Sequence, residues 1–326
     1  MINKLLYYCI LLFGTASLAQ VNFTNQSGLI GNYPDNSEIA VDMNGDYLDD
    51  YVRVSSNGIG IDYQNTDQTF TSIFMTMPIQ NVPDWSVAAG DIDANGFNDL
   101  VMGNGSRVSF LFANVDGTAY TEDAKPEYIW SQRSTLADIN NDGLLDAFVC
   151  HDVDLSHPYR NAGGQNMILD QSLIVTLDRP GNYAAIWVDY DNDGDSDMYL
   201  TKCRGGAPVG DPNRDNAMYT NNGDGTFTEN GLDIGMRDNA QSWSTVFEDF
   251  DNDGDTDLFV GSRSVPGDYG TSPASAVFLN DGKGKFKDIS KENPAILYAG
   301  MVTGAAWADI NGDNKKELII IGEWTH

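Results

Sequence analysis

The 326-residue sequence predicts an all-β chain: a β-propeller of four-stranded blades held by calcium turns. Three observations predict it. A nine-residue unit rich in Asp, Asn and Gly recurs six times, with first residues at Asp42, Asp91, Asp138, Asp189, Asp249 and Asp309. Every copy sits between short apolar runs of strand length. No long stretch carries the 3.6-residue period of an amphipathic helix, so almost no helix is expected. A repeat near fifty residues built from four strands is the mark of a propeller blade.

The unit is clearest as Asp189-Tyr190-Asp191-Asn192-Asp193-Gly194-Asp195-Ser196-Asp197 and again from Asp249 to Asp257. Two further copies, Asp91 to Asp99 and Asp138 to Asp146, keep Gly at place 6. The outermost copies, Asp42 to Asp50 and Asp309 to Glu317, have Gly two places early, at Gly45 and Gly312. Before the unit come small or apolar runs such as Ser86–Ala89, Ala184–Trp187, Ser244–Phe247 and Gly304–Trp307. After it come Leu100–Met102, Ala147–Val149, Met198–Leu200, Leu258–Val260 and Leu318–Ile321. Each unit therefore joins two strands that are apolar on at least one face. Farther on, Asn221–Phe227 and Asn280–Phe286 are Asn- and Gly-rich hairpin turns, whose residues tolerate positive φ.

The loop chemistry points to a hard cation. Calcium takes six to eight oxygens in a flexible geometry, and Gly at place 6 permits the sharp bend that wraps it. Candidate ligands are Asp42, Asn44, Asp46 and Asp50; Asp91, Asp93, Asn95 and Asp99; Asp138, Asn140, Asp142 and Asp146; and Asp309, Asn311, Asp313 and Glu317. The two richest loops add Asp189, Asp191, Asp193, Asp195 and Asp197, and Asp249, Asp251, Asp253, Asp255 and Asp257. Helices and a place-12 Glu, which an EF-hand requires, are missing, so each loop reads as a calcium turn within a hairpin. The alternative, in which these side chains only bond their own turn backbone, leaves crowded carboxylates repelling one another. Magnesium is disfavoured by so many protein oxygens. The 42 and 309 loops rank weakest, because Tyr47 and Asn314 stand at place 6.

Charge agrees. The chain carries 48 acidic and 18 basic residues, a formal charge of −30. That excludes generic nucleic-acid binding. Four to six calcium ions are expected, and six would bring −30 to −18 (six ions of +2 give +12).

Lys4, the apolar run Leu5–Phe13 and the small residues Ser17-Leu18-Ala19 read as a signal peptide over residues 1–19, cut before Gln20. The mature part, 20–326, is expected to be secreted or held at the cell surface, with no transmembrane segment. Two insertions, Lys202–Asn216 and Ser262–Pro273, read as blade-to-blade connections on one rim, a common place for a binding face. Candidate rim residues are Arg204, Arg214, Trp243, Arg263 and Tyr269.

The DxDxDGxxD turns followed by an apolar strand resemble FG-GAP (VCBS-type) repeats. These form the integrin α-subunit propeller and cartilage acidic protein-like bacterial secreted proteins. Trp187–Asp195 with Asn221–Phe227 downstream is close to the latter pattern. The resemblance implies seven blades in the full family, calcium turns on one face, and a role in adhesion or ligand binding. Six turns are visible here, and the chain stops just after the sixth post-loop strand. An incomplete ring, truncated at the C-terminus, is therefore expected. Phe23–Leu29 resembles the end of a blade.

Cys150 and Cys203 follow calcium turns in adjacent blades, and a disulfide between them is a possibility in an exported chain. The other reading is two small buried thiols. The sequence shows no nucleophile elbow, HExxH or phosphate loop. The expected function is thus a secreted calcium-binding module for adhesion or for an extracellular protein or glycan ligand, with calcium mainly structural and no enzymatic activity. Two alternatives stand: a hydrolase or lyase acting on polysaccharide, marked by a concave pocket with a carboxylate outside the calcium loops, and a structural spacer.

Overall fold

The computed structural model describes residues 24–263, 275–292, 296 and 301–323. The segment 1–19, Tyr269 and most of the second insertion lie outside the described residues.

Six antiparallel sheets follow one another along the chain. The first holds β1 (Ser37–Val41), β2 (Asp50–Ser55), β3 (Gly58–Gln64) and β4 (Phe70–Thr76). The second holds β5 (Ser86–Gly90), β6 (Asp99–Gly103), β7 (Val108–Ala113) and β8 (Tyr120–Ala124). The third is β9 (Ser131–Ala137), β10 (Asp146–His151), β11 (His157–Asn161) and β12 (Met167–Leu169). The fourth is β13 (Asn182–Val188), β14 (Asp197–Lys202), β15 (Ala217–Asn221) and β16 (Phe227–Glu229). The fifth is β17 (Ser242–Glu248), β18 (Asp257–Ser262), β19 (Ala276–Asn280) and β20 (Phe286–Asp288), and the sixth has two strands, β21 (Met301–Ala308) and β22 (Glu317–Glu323). Strands pair in chain order within each sheet, and among the described residues helix is confined to three-residue 3-10 turns apart from the single helical residue 296. This is propeller architecture, as expected, with no closing pair among the described sheets.

First strands neighbour one another in the order β1, β5, β9, β13, β17, β21, so they surround the axis. Their small residues let them converge. A Cβ on Gly90 of β5 would lie 2.8 Å from a Leu136 methyl of β9; at the end of the second strand β6, one on Gly103 would lie 2.3 Å from the Ser131 hydroxyl. The core lies between sheets. Phe148 and Cys150 of the third pack with Met198, Leu200 and Tyr219 of the fourth. Tyr199 and Met218 of the fourth pack with Leu258, Val260 and Phe278 of the fifth. Second strands are the most buried, because they have a sheet neighbour on each side and a packed sheet against each face. The whole of β6, β10, β14 and β18 is buried.

Three expectations are corrected. Lys202–Asn216 joins β14 to β15 and the Ser262–Pro273 insertion lies between β18 and β19, so each falls inside one sheet and neither is a blade-to-blade connection, because each acidic loop joins the first and second strands of its sheet rather than later ones. The start of the described chain forms no blade-ending strand. Ser27–Leu29 is a 3-10 turn, and the segment after it lies on the first sheet, with Gly31 donating to Asp62 at 2.8 Å and the Tyr33 ring 5.3 Å from Phe74. Cys150 and Cys203 are separate buried thiols. Cys150 is locked in the core between the third and fourth sheets, while Cys203 Sγ accepts the Trp243 indole N–H at 3.0 Å. Burial pushes the thiols up, to about 12 and about 11.

Candidate metal centres

All six loops fold the same way. Place 1 accepts through one carboxylate oxygen from the backbone N–H of place 6, at 2.8 Å in Asp42, 2.9 Å in Asp91, 2.8 Å in Asp138, 3.0 Å in Asp189, 3.1 Å in Asp249 and 2.8 Å in Asp309. Place 5 accepts from the N–H of place 7, as Asp193 does from Asp195 and Asp313 from Lys315. These bonds curl the chain around its own carboxylates.

Two backbone positions per loop are left-handed. Place 6 has φ of 94°, 87°, 95° and 98° at Gly96, Gly143, Gly194 and Gly254, where an added Cβ would touch nothing. Conformation, not crowding, selects glycine there. Place 4 is also left-handed: Gly45, Ala94, Asn141, Asn192, Asn252 and Gly312 have φ of 77°, 58°, 56°, 60°, 61° and 76°. The displaced glycines of the outermost loops therefore fill the second left-handed position and are not signs of decay. Sequence reading missed this role of place 4, although the Asn or Gly found there in five of the six copies is its signal.

Place 9 is the first residue of each second strand. Asp50, Asp99, Asp146, Asp197 and Asp257 are fully buried. One oxygen accepts from the N–H of place 2, at 2.9 Å from Met43 and from Ile92 and 3.3 Å from Tyr190. The other accepts from the third strand, at 2.7 Å from Ala113 and Asn161 and 2.8 Å from Asn221 and Asn280. A buried aspartate thus clips loop, second strand and third strand together. Sequence reading saw only a ligand here.

Three loops bring carboxylates from places 1, 3 and 9 together: Asp91, Asp93 and Asp99; Asp189, Asp191 and Asp197; Asp249, Asp251 and Asp257. In each group the ligand atoms lie within 4.8 Å of one another. The ion pairs seen among the described residues do not reach them. Burial, with the nearby Asp191 and Asp193, raises Asp197 to about 7; burial likewise raises Asp99 and Asp257 to about 6. Such crowding of like charge in a partly dry site is relieved by a cation. Where Asn holds place 3, the loop satisfies itself differently: Asn140 donates to Asp142 at 2.9 Å, and Asn311 to Glu317 at 2.9 Å. The place-7 Asp195 accepts from Asn141 of the preceding loop at 3.0 Å. The loops also brace neighbouring sheets, since Asn161 donates to the Ile92 carbonyl at 2.8 Å and Asn280 to that of Tyr190 at 3.0 Å.

Of the candidate rim residues, Arg214 is fully buried and donates to the Ala207 carbonyl, because its insertion folds back over it. Trp243 stacks on Tyr183 with ring centroids 5.7 Å apart, and the Arg263 guanidinium lies 4.7 Å from the Trp243 ring centre. The Arg204 N–H donates to Gln241 at 2.6 Å.

A comparison with curated protein sequences finds no match. Solved structures of similar fold include an Agrocybe aegerita lectin that recognises non-reducing terminal N-acetylglucosamine, at 17% identity and a TM-score of 0.49. That similarity covers 77% of this chain and 64% of the lectin chain. The V. cholerae biofilm matrix protein Bap1 is similar at 17% identity and a TM-score of 0.40, over 77% of this chain and 38% of that one. The exotype rhamnogalacturonan lyase YesX gives 11% identity and a TM-score of 0.39, over 78% of this chain and 45% of its own. The FG-GAP-like repeat family model matches residues 189–260. That stretch holds both loops with Asp at every ligand place, so the chain carries FG-GAP-like repeats within an all-β propeller.

Proposed function

We propose that the chain is an exported, calcium-stabilised binding module in which the metal holds the blades and the opposite end meets an extracellular ligand. The observation that carries the metal reading is the clustering of places 1, 3 and 9 within 4.8 Å in three loops of identical curl. Calcium suits the donor set, which in these three groups is carboxylate oxygen throughout. The unfolded chain has no such site, so binding free energy becomes folding free energy. Melting in millimolar calcium and in excess EGTA tests this. The expected result is a midpoint at least 10 °C lower in EGTA, with four to six ions bound per chain by calorimetric titration. Coincident melts would overturn the structural role. Export is tested by expressing the full sequence and reading the N-terminus of the released protein, expected to begin at Gln20.

The polysaccharide-active reading keeps one supporting observation. A concave cavity at the axis is lined by Glu38 and Asp152, carboxylates outside the calcium loops. Both are engaged, Glu38 by the Tyr51 hydroxyl and Asp152 by Gln132 at 3.1 Å and Tyr183 at 3.4 Å. Release of reducing ends or of an unsaturated product absorbing in the ultraviolet would favour catalysis over binding.

A further inference from the structure

The end of the propeller opposite the calcium loops opens into a cavity of about 940 Å³. Its position follows from topology: the acidic loops leave the ends of the first strands, the cavity walls run along β5 and β9 as far as Ala89 and Leu136, and its mouth carries residues at and before the strand starts. Trp85 precedes β5, Trp130 precedes β9, and Tyr183 and Trp243 lie at the starts of β13 and β17. Four consecutive sheets thus each deliver one aromatic ring to the same mouth. Trp85 and Trp130 are 55% and 44% exposed, unusually open for indoles. Trp243 is held by its N–H bond to Cys203 and by stacking on Tyr183.

Arg133, on β9, faces this cavity and the narrower space of about 440 Å³ that continues toward the calcium end beside Glu248 and Asp249. Its guanidinium is solvent-accessible, and among the described residues it forms neither a hydrogen bond nor an ion pair. The wall carboxylates Glu38 and Asp152 are already engaged, and Lys202 and Arg204 act on Asp152. Twenty-three of the acids sit in the six loops at the far end. A guanidinium offers a planar fork that matches a carboxylate. Exposed indole faces suit the C–H face of a pyranose ring. The cavity volume lies at the upper end of the range for small-molecule sites.

Resting on the binding-module reading, we propose that this mouth binds a carboxylate-bearing oligosaccharide, with Arg133 receiving the carboxylate and Trp85 and Trp130 stacking on sugar rings. An acidic peptide supplies the carboxylate but no ring face for the indoles.

The test is calorimetric titration of the calcium-saturated chain with a tetramer of β-1,4-linked glucuronic acid. The comparisons are cellotetraose, which differs from it only in lacking the carboxylates, and a poly-aspartate peptide. The acidic tetramer is expected to bind at least tenfold more tightly than either. Arg133→Gln should weaken the acidic tetramer about tenfold and leave cellotetraose unchanged, whereas Trp130→Ala should weaken both sugars. The melting temperature of each variant in calcium serves as the folding check, and both positions are solvent-accessible. No binding of the acidic tetramer, equal binding by Arg133→Gln, or tighter binding of poly-aspartate overturns the proposal. A calcium-dependent melt with no sugar binding sinks only this inference. A melt indifferent to calcium sinks the reading beneath it.

Discussion

Tyr47 sits at the left-handed place 6 of its loop with φ of 68° and its side chain 95% exposed. An L side chain in that region costs about 1 kcal/mol or more, and Gly or Asn avoids most of it. Nothing in its surroundings repays tyrosine, since the ring is almost wholly in solvent. Tyr47→Asn should therefore raise stability by about 1 kcal/mol, read as a higher urea midpoint at unchanged slope; a lower midpoint would mean that the ring has a partner. His157 makes a different residue-scale case. Burial, with His151 alongside, holds its imidazole down at about 4. The unfolded chain takes up that proton near pH 6.5 while the folded chain refuses it until about pH 4. The site's contribution is complete above pH 6.5 and is lost as pH falls toward 4, by at most about 3 kcal/mol. In saturating calcium, His157→Phe should flatten the decline in stability between pH 7 and 5 relative to the unmodified chain. Parallel declines would show that the histidine is not the titrating group.

At the scale of the element, the acidic loop is two devices in one. Within the turn place 3 makes at most one backbone bond, as Asp251 accepts from the Asp253 N–H at 3.2 Å, whereas buried place 9 closes the backbone hydrogen bonds of three segments. Asp197→Ala leaves the N–H groups of Tyr190 and Asn221 without their acceptor. A buried donor left unpaired costs about 1–3 kcal/mol. Asp197→Ala should thus destabilise the chain in EGTA as well as in calcium, whereas Asp191→Ala should do so only in calcium. Equal behaviour of the two variants in EGTA would remove the clip from place 9. The same dual role explains why the outermost loops keep an acid at place 9, Asp50 and Glu317, although Tyr47 and Asn314 replace glycine. Glu317 still accepts from the place-2 N–H of Ile310 at 3.1 Å.

For the whole molecule, charge is sorted by topology. One end of the first-strand ring carries the six acidic loops, and the other carries the indoles and Arg133. A formal charge of −30 makes the metal-free fold repel itself. Added salt shortens the Debye length from about 30 Å at 0.01 M to about 10 Å at 0.1 M. Potassium chloride should therefore raise the melting temperature in EGTA distinctly more than in calcium, where bound ions already neutralise the loops. An equal rise in both would place the repulsion elsewhere on the surface.

The all-β class, the six turns and the strands around them were legible because each is local. Short apolar runs and the left-handed tolerance of Gly and Asn act within a few neighbours in the chain, and their recurrence about every fifty residues repeats the signal. The same sequence misassigned Lys202–Asn216, which needs knowledge of which strands pair. It placed Arg214 on the rim, although the folded insertion buries it. It left Cys150 and Cys203 as a possible bridge, although one thiol belongs to an inter-sheet core and the other to an indole. The aromatic mouth was not readable at all, because Trp85, Trp130, Tyr183 and Trp243 stand 45, 53 and 60 residues apart along the chain. Local chemistry determined the loops and what they can hold. Only the convergence of the first strands around an axis, driven by burial between sheets, decided what the opposite end presents to a ligand.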